Sequence, residues 1–551
     1  MAAVIVFLHE SFQFIGSRDA PVVPIEFLHL ADEVFGGQPS LIMTKLTYPY
    51  KIGLSKIYVQ LYVNLYIMKC AILVQILYLC KSDLTIDRSK NHRMMTHLTD
   101  ISKMKTKKLL ITILLALPFC MRTLGCTLMI VAASATEDGR PMLFKNRDSS
   151  NAYMVDMRID QQEGFRFIGQ YALREGTWEG PWSGYNETGF CIANSLSYNY
   201  SGAEYASMNK DILDMALRHC ETAVEFEQLI DRLEKPLDVR ANYAVIDAQG
   251  NAAFYEVGPY GYTKYDANDP QTAPEGVLIR TNYSLAGDLD RKVGEDRWKA
   301  AEIFVSEAMV SQQFNWRYIL QNLPRYLVHS NGTDLYADAP ATWNDERQTD
   351  FDGYIPRHSS TNAVLMQGVK AGESPLLTVL WSISGPPVST VALPLLFTAN
   401  NILPEKTVMT DNRSWLCEKG QSLKAIIFPY QENATKLIDL SKLYNREETG
   451  IMQRIVKIEG EIIERGYSVI ENARLSGKVS EDSLADYYAW LDKYIGQEYG
   501  SEFDDMITDI QNHSLGNRQH FGCWDISGKR QSNPLSYRGI VIRNKQKYLN
   551  Y

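Results

Sequence analysis

The sequence predicts an α+β fold, a layered sandwich in which paired strands come first, helices follow and further strands return. Three observations carry this. Strand-like runs flank turn clusters in pairs, apolar residues recur at helical spacing between those pairs, and the composition is that of a globular chain. The 551 residues are 45% hydrophobic and 22% charged, too apolar for a disordered chain and too charged for a polytopic membrane protein. A net charge of −9, from 56 Lys+Arg and 65 Asp+Glu, argues against a general nucleic-acid binder. Eight cysteines with no CxxC pair are neither a disulfide framework nor a structural zinc site.

The elements follow in order. Residues 128–145 read as two strands about the turn Thr136-Glu137-Asp138-Gly139-Arg140-Pro141. Phe165–Gln170, Gly189–Leu196, Ala241–Ile246, Ala252–Val257 and Gly276–Thr281 read as strands, with Asp247–Asn251 as a hairpin turn. The stretch from Gly184 to Gly189 reads as a tight turn. Asp211–His219, Ala223–Leu233 and Arg297–Met309 carry helical spacing, and Thr361–Gln367 and Leu376–Ile383 resume strand character. Near Asn400 the pattern changes. Ile451, Ile455, Ile458, Ile462 and Ile463 line one helical face, and Ser480 caps a helix running through Leu491. From about Asn512 the chain is polar and basic and reads as a tail. No internal repeat or low-complexity tract occurs.

A second start is visible inside the chain. From Met104, the basic Lys105, Lys107 and Lys108 precede an apolar run from Leu109 to Phe119 broken only by Thr112, and Gly125 then precedes Cys126. This is the three-part layout of a secretory signal, with an apolar core too short to span a bilayer. Residues 1–103 are then expected to be an over-extended start. The greasy run Ile57–Cys80 is long enough for one membrane span, so an anchored form is the competing account. Removing residues 1–125 takes 14 Lys+Arg and 8 Asp+Glu from the totals and leaves an acidic chain of −15.

Cys126 is the decisive position. If the chain is cut after Gly125, this cysteine carries a free α-amine, whose ordinary pKa of about 7.7–8.0 makes it a base for its own thiol. With nine His and no Cys/His signature, a papain-like pair has little support. Two plainer readings stand beside it: the lipidated cysteine of a lipoprotein, which Thr123-Leu124-Gly125 fits poorly, and an inert buried thiol. Cys191, Cys220, Cys417 and Cys523 are expected to be free thiols or buried.

Several motifs then occur in sequence: Cys126-Thr127; S-A-T-E-D-G-R-P-M-L-F-K-N-R-D from Ser134 to Asp148; G-Y-N-E-T-G-F-C-I-A-N from Gly184 to Asn194; A-N-Y-A-V-I-D-A-Q-G from Ala241; I-R-T-N-Y from Ile279; G-E-D-R-W from Gly294; and T-N-A-V-L-M-Q-G from Thr361. In this order and spacing the chain resembles the N-terminal-nucleophile cysteine amidohydrolases of the carcinine hydrolase and isopenicillin-N acyltransferase type, related to choloylglycine hydrolases. The resemblance covers roughly residues 104–475.

The resemblance implies an αββα sandwich over residues 126–400, a helical extension over 401–511 and a tail over 512–551, after a signal peptide at 104–125. It implies Cys126 as nucleophile, Asp148 orienting the α-amine, Asn282 as oxyanion donor and Arg297 holding the Asp and the nucleophile. Relatives carry Arg three residues before the Asp; here Lys145 stands there and Arg147 adjoins the Asp, so which cation lines the site is open. Asn194 is a second polar wall. Trp178, Trp182 and Tyr185 either line an acyl pocket or belong to the core. Taken singly, Asp148 could cap a turn, Asn282 could sit in a loop and Arg297 could pair with Glu295 on a helix surface. The expected activity is hydrolysis of linear amide bonds by an exported, periplasmic or secreted enzyme. Acyl transfer, dipeptide cleavage and a non-catalytic lipoprotein of this fold are the alternatives. The expected partner is a small-molecule amide; no cofactor, metal or nucleic acid is implied, and the oligomeric state is open.

Overall fold

The computed structural model describes residues 125–501 apart from 150–153, 175–176, 202–205, 409–412 and 429–436, together with Phe503 and four short strands beyond it. The expected over-extended start, the signal segment before Gly125, the run Ile57–Cys80 and residues 512–522 lie outside the described residues. Met121–Tyr551 forms one compact unit.

Two antiparallel sheets face each other. In chain order the strands are β1 (Cys126–Val131), β2 (Met142–Asp148), β3 (Met154–Asp160), β4 (Phe167–Arg174), β5 (Thr177–Glu179), β6 (Ser183–Asn186), β7 (Cys191–Leu196), β8 (Ala241–Ile246), β9 (Ala252–Gly258), β10 (Gly261–Asp266), β11 (Val277–Arg280), β12 (Gln348–Asp350), β13 (Ser360–Gln367), β14 (Val379–Ile383), β15 (Leu393–Leu395) and β16 (Leu437–Asp439). The first sheet has the order β11-β1-β2-β13-β14-β15, the second β10-β9-β8-β7-β6-β4-β3 with β5 on β4. The helices are α1 (Asn209–His219), α2 (Ala223–Arg232), α3 (Glu295–Val310), α4 (Trp316–Asn322), α5 (Trp415–Ile427), α6 (Leu440–Leu443), α7 (Ile451–Ser476) and α8 (Glu481–Tyr494).

Alternation of side chains along each strand assigns them to layers. Leu128, Ile130, Leu143, Val364 and Met366 of the first sheet pack between the sheets on Ile168, Ala193, Ala244 and Phe254 of the second. The opposite face of the first sheet, including Met129, Phe144, Leu365 and Trp381, packs on α3, α4, α5, α7 and α8. The outer face of the second sheet, with Ile192, Tyr243, Val245 and Tyr255, is covered by α1 and α2. The order is therefore helix, sheet, sheet, helix: an αββα sandwich, as the resemblance implies, with a helical C-terminal region.

That helical region is not an appendage. β16 pairs with β12, joining residues 437–439 to 348–350. The Ile451, Ile455, Ile458 and Ile462 stripe is buried in the same core as the first sheet's outer face. The change of pattern near Asn400 thus marks a change of layer, because those isoleucines have no core of their own. Residues 183–186 are a strand rather than part of a turn; only the following residues turn. The expected tail also differs. It holds β17 (Cys523–Asp525), β18 (Arg530–Gln531), β19 (Gly539–Arg543) and β20 (Gln546–Asn550) in one small antiparallel sheet. The β-branched run Ile540-Val541-Ile542 favours a strand more than the surrounding polar residues suggest.

Candidate active site

Cys126 opens β1, and its strand register decides what it meets. It pairs with Arg147, and Leu128 pairs with Lys145. Cys126, Leu128, Lys145 and Arg147 therefore share the face that looks into the space between the sheets. Cys126 is 9% exposed. Its backbone N–H donates to Asn282 Oδ1 at 3.0 Å, and its carbonyl accepts from Arg297 Nη1.

Arg297 and Asn282 hold each other as well as the cysteine. Arg297 Nη2 donates to Asn282 Oδ1 at 2.6 Å, and Nη1 reaches Thr127 Oγ1 at 3.0 Å. Arg297 is 2% exposed, so it is no surface helix residue, and Glu295 pairs instead with Lys299. Burial, followed by the neighbouring Arg357, pushes its pKa down to about 10, against the pull of Asp148 and Cys126. The turn into α3 makes room for it. Gly294 has φ 85°, and a Cβ there would lie 2.4 Å from Arg297 Nη2. Asn282 follows β11, and its Nδ2 donates to Leu196 O at 2.9 Å. Its oxygen holds the cysteine nitrogen, so one Nδ2 hydrogen carries no hydrogen bond among the described residues.

Asp148 ends β2 beside the Gly125–Cys126 peptide. Its backbone N–H donates to Gly125 O at 2.6 Å. Its carboxylate accepts from Arg357 Nε at 2.7 Å, Ser360 Oγ at 2.6 Å and Asn146 Nδ2 at 3.3 Å. This is a held carboxylate, not a turn cap. Burial works against the Arg357 charge, but Asp148 more than restores it and leaves the guanidinium pKa raised. Gly125 packs closely on this pair: a Cβ there would stand 1.9 Å from Arg357 Nη2 and 2.7 Å from Asp148 Oδ2, so any side chain would make those ends shift.

The cation question resolves into two places. Lys145 is 1% exposed, and its Nζ donates to Trp182 O at 2.5 Å and to Asn194 Oδ1 at 3.1 Å. Arg147 stacks on the Trp182 ring, 4.6 Å from its centroid. Asn194 thus serves as a support for Lys145 on the opposing sheet. Two buried donors near these groups, Trp182 Nε1 and Gln170 Nε2, have no hydrogen-bond partner among the described residues. Tyr185 belongs to the core, edge-on to Phe397, whereas Trp182 lines the site; nothing is described of the Trp178 side chain. Cys191, Cys220 and Cys417 are buried and in no disulfide among the described residues, and burial pushes the first two thiols up.

Sequence reasoning missed Arg357, Ser360 and Tyr198. Ser360 stands opposite Asp148 in the β2–β13 register, with a bulge between Ser360 and Asn362. The T-N-A-V motif marks that strand, yet starts one residue after the serine. Tyr198 is nearly buried; burial first, then the nearby Cys126, raises its phenol. Among the described residues no helix is long and apolar enough to cross a membrane, and no His, Cys, Asp and Glu group could hold a metal ion.

Residues 134–310 match the model of the family described as acyl-coenzyme A:6-aminopenicillanic acid acyl-transferase. Among solved structures, the chain is similar to a Caenorhabditis elegans N-acylethanolamine-hydrolyzing acid amidase ortholog, at 16% identity and TM-score 0.29 over 44% of this chain and 92% of that one. A mutant conjugated bile acid hydrolase from Clostridium perfringens aligns at 11% and 0.29, over 50% and 93%. Penicillin V acylase from Agrobacterium tumefaciens aligns at 10% and 0.27, over 50% and 87%. No curated protein sequence matches significantly.

Proposed function

We propose that this chain, an N-terminal-nucleophile sandwich whose chemistry at the coarse level is amide-bond acyl hydrolysis or transfer, is an exported amidohydrolase that attacks with Cys126. Its substrates are linear amides: N-acyl amines, N-acyl amino acids or dipeptide-like compounds. The observation that carries the reading is the cluster on the Cys126 backbone. Asn282 holds its nitrogen, Arg297 holds its carbonyl, and the Asp148 carboxylate lies against the preceding Gly125. Scission of the Gly125–Cys126 bond frees an α-amine where a carboxylate and an amide oxygen already wait to orient it. The three-part segment from Met104 supports export and a cut before Cys126.

The cycle follows. The thiol proton passes to the α-amine as sulfur attacks the amide carbonyl, and the remaining Asn282 N–H donates to the oxyanion. The protonated amine then gives its proton to the leaving nitrogen, which leaves a thioester on Cys126. Water, activated by the same amine, releases the acid; an amine or thiol acceptor in place of water makes the enzyme an acyltransferase.

The test is a chain that retains one extra residue ahead of Cys126. The nitrogen is then an amide and cannot accept a proton, so turnover should fall by about 10²–10⁴-fold, the range for losing a positioned base. A small thiol alkylator reports whether the pocket remains open. Undiminished amide turnover with Cys126 still labelled would transfer the base role to another side chain.

A further inference from the structure

The motif A-N-Y-A-V-I-D-A-Q-G from Ala241 carries a buried amide that the proposed cycle does not use. On the inner face of the second sheet, Ala193, Ala244 and Phe254 form an apolar row across β7, β8 and β9. The next inward row, Ser195, Asn242 and Glu256, is polar, and each of the three is at most 1% exposed. Buried polar groups cost stability unless they are paired, and this row turns to one segment of chain, residues 280–286. The β11 ladder with β1 ends at Arg280, so Asn282 lies beyond the sheet. Asn242 Nδ2 donates to Thr281 O at 3.3 Å and to Tyr283 O at 3.1 Å, the carbonyls on either side of Asn282. It also reaches Ser195 Oγ at 3.2 Å, which in turn donates to Thr281 O at 2.5 Å. Ser284 Oγ donates to Asn242 Oδ1 at 2.6 Å, which sets the amide nitrogen toward the carbonyls. The carbonyl between them, Asn282 O, accepts from Tyr198 N at 2.9 Å. Further along, Glu256 accepts from Leu285 N at 2.9 Å and Ala286 N at 2.8 Å.

We propose that Asn242 is a positioning residue for Asn282: by holding the carbonyls on either side, it aims the Asn282 amide at the reacting carbonyl. The inference rests on the assignment of Asn282 as oxyanion donor and adds the residue that sets it. A strand residue takes its direction from the ladder, whereas a residue past the last ladder bond keeps its own φ and ψ freedom unless its peptide groups find other partners. Here three successive carbonyls, from Thr281 to Tyr283, are held from the second sheet, two of them by the Asn242 side chain. An oxyanion donor is useful only if it is in place before charge develops. A displacement of about 1 Å can cost about 10²-fold in rate, even when its cause lies away from the chemistry. The same Asn282 side chain accepts from the Cys126 nitrogen, so a shift there would also loosen the nucleophile's backbone.

A double-mutant cycle in the processed, purified protein tests this, with kcat and KM measured on N-acyl-4-nitroanilides of graded chain length. Asn242→Ala should lower kcat about 10²-fold and leave KM near that of the wild type. Asn282→Ala should lower kcat by about 10²–10³-fold. In the double variant the two losses should not multiply: kcat should match that of Asn282→Ala, because Asn242 has nothing left to aim. A product of the two losses overturns the proposal, since Asn242 then supports the fold independently. A wild-type kcat in Asn242→Ala, or a change confined to KM, overturns it too. If circular dichroism shows Asn242→Ala unfolded, Ser284→Ala takes its place in the cycle. That variant frees the Asn242 amide, should cost about two- to tenfold in kcat, and must add nothing to Asn282→Ala. Failure of the underlying assignment looks different: Asn282→Ala alone then keeps the wild-type kcat.

Discussion

Two of the arginine–carboxylate pairs among the described residues, Arg325–Glu459 and Arg357–Asp148, are built differently. Under the first sheet, Arg325 directs all its donors to fixed acceptors: Glu459 through both Nη groups, Pro387 O, Gln321 O and Thr390 O. Glu459 also accepts from Ala392 N at 2.6 Å. The pair ties the long helix α7 to α4 and the sheet edge, and every polar atom is satisfied. At the other pair, Arg357 engages Asp148 through Nε alone, and its Nη end lies against Gly125. The difference teaches how to tell architecture from chemistry in a buried ion pair. A saturated pair can only hold, whereas one with uncommitted donors beside a reactive backbone can respond to a new charge.

The comparison can be broken at either end. Cys126→Ser should cost turnover the most, about 10⁴-fold or more, with no loss of folding stability. Retained activity in a steady-state assay would remove the site from the account. Asp148→Asn, which leaves the volume unchanged, should lower kcat by about 10²–10⁴-fold through the misplaced amine. Its denaturation midpoint should move less than that of Glu459→Ala.

Glu459→Ala should do the opposite. Stranding Arg325 in the core costs about 3–5 kcal/mol of stability, read by urea unfolding. The fraction still folded should alkylate at Cys126 as fast as wild type. A large stability loss at Asp148 with none at Glu459 would reverse the assignment of roles. Ser360→Ala sharpens the picture with a smaller effect. Losing one hydrogen bond to the carboxylate costs about 1.5–3 kcal/mol, so turnover should fall roughly ten- to a hundredfold. A KM change without a kcat change would place Ser360 in substrate binding instead.

Much of this was legible before any coordinates. The β1–β2 hairpin follows from the turn at Thr136–Pro141 between apolar runs, and the α7 face from isoleucines at helical spacing. The convergence of Cys126, Asn282 and Arg297 came from motif order, because nothing local in I-R-T-N-Y or G-E-D-R-W says where a side chain will point. Arg357 and Ser360 were not legible. Their role depends on a cross-strand register with a bulge, set by a pairing between residues more than 200 positions apart. The joining of the helical region to the first sheet was hidden likewise. Glu459 reads as one more acidic residue on an exposed face, and only Arg325, 134 positions earlier, makes it a buried one.

The central claim is that acyl transfer passes through the sulfur of a chain beginning at Cys126. Its most direct test is intact mass spectrometry of the enzyme quenched in acid during the first turnover of an activated amide, followed by mapping of the N-terminal peptide. The account predicts a chain that starts at Cys126, heavier by one acyl group carried on that residue and released by hydroxylamine. An active enzyme that retains residues ahead of Cys126, or an acyl group mapped to any other side chain, would contradict it.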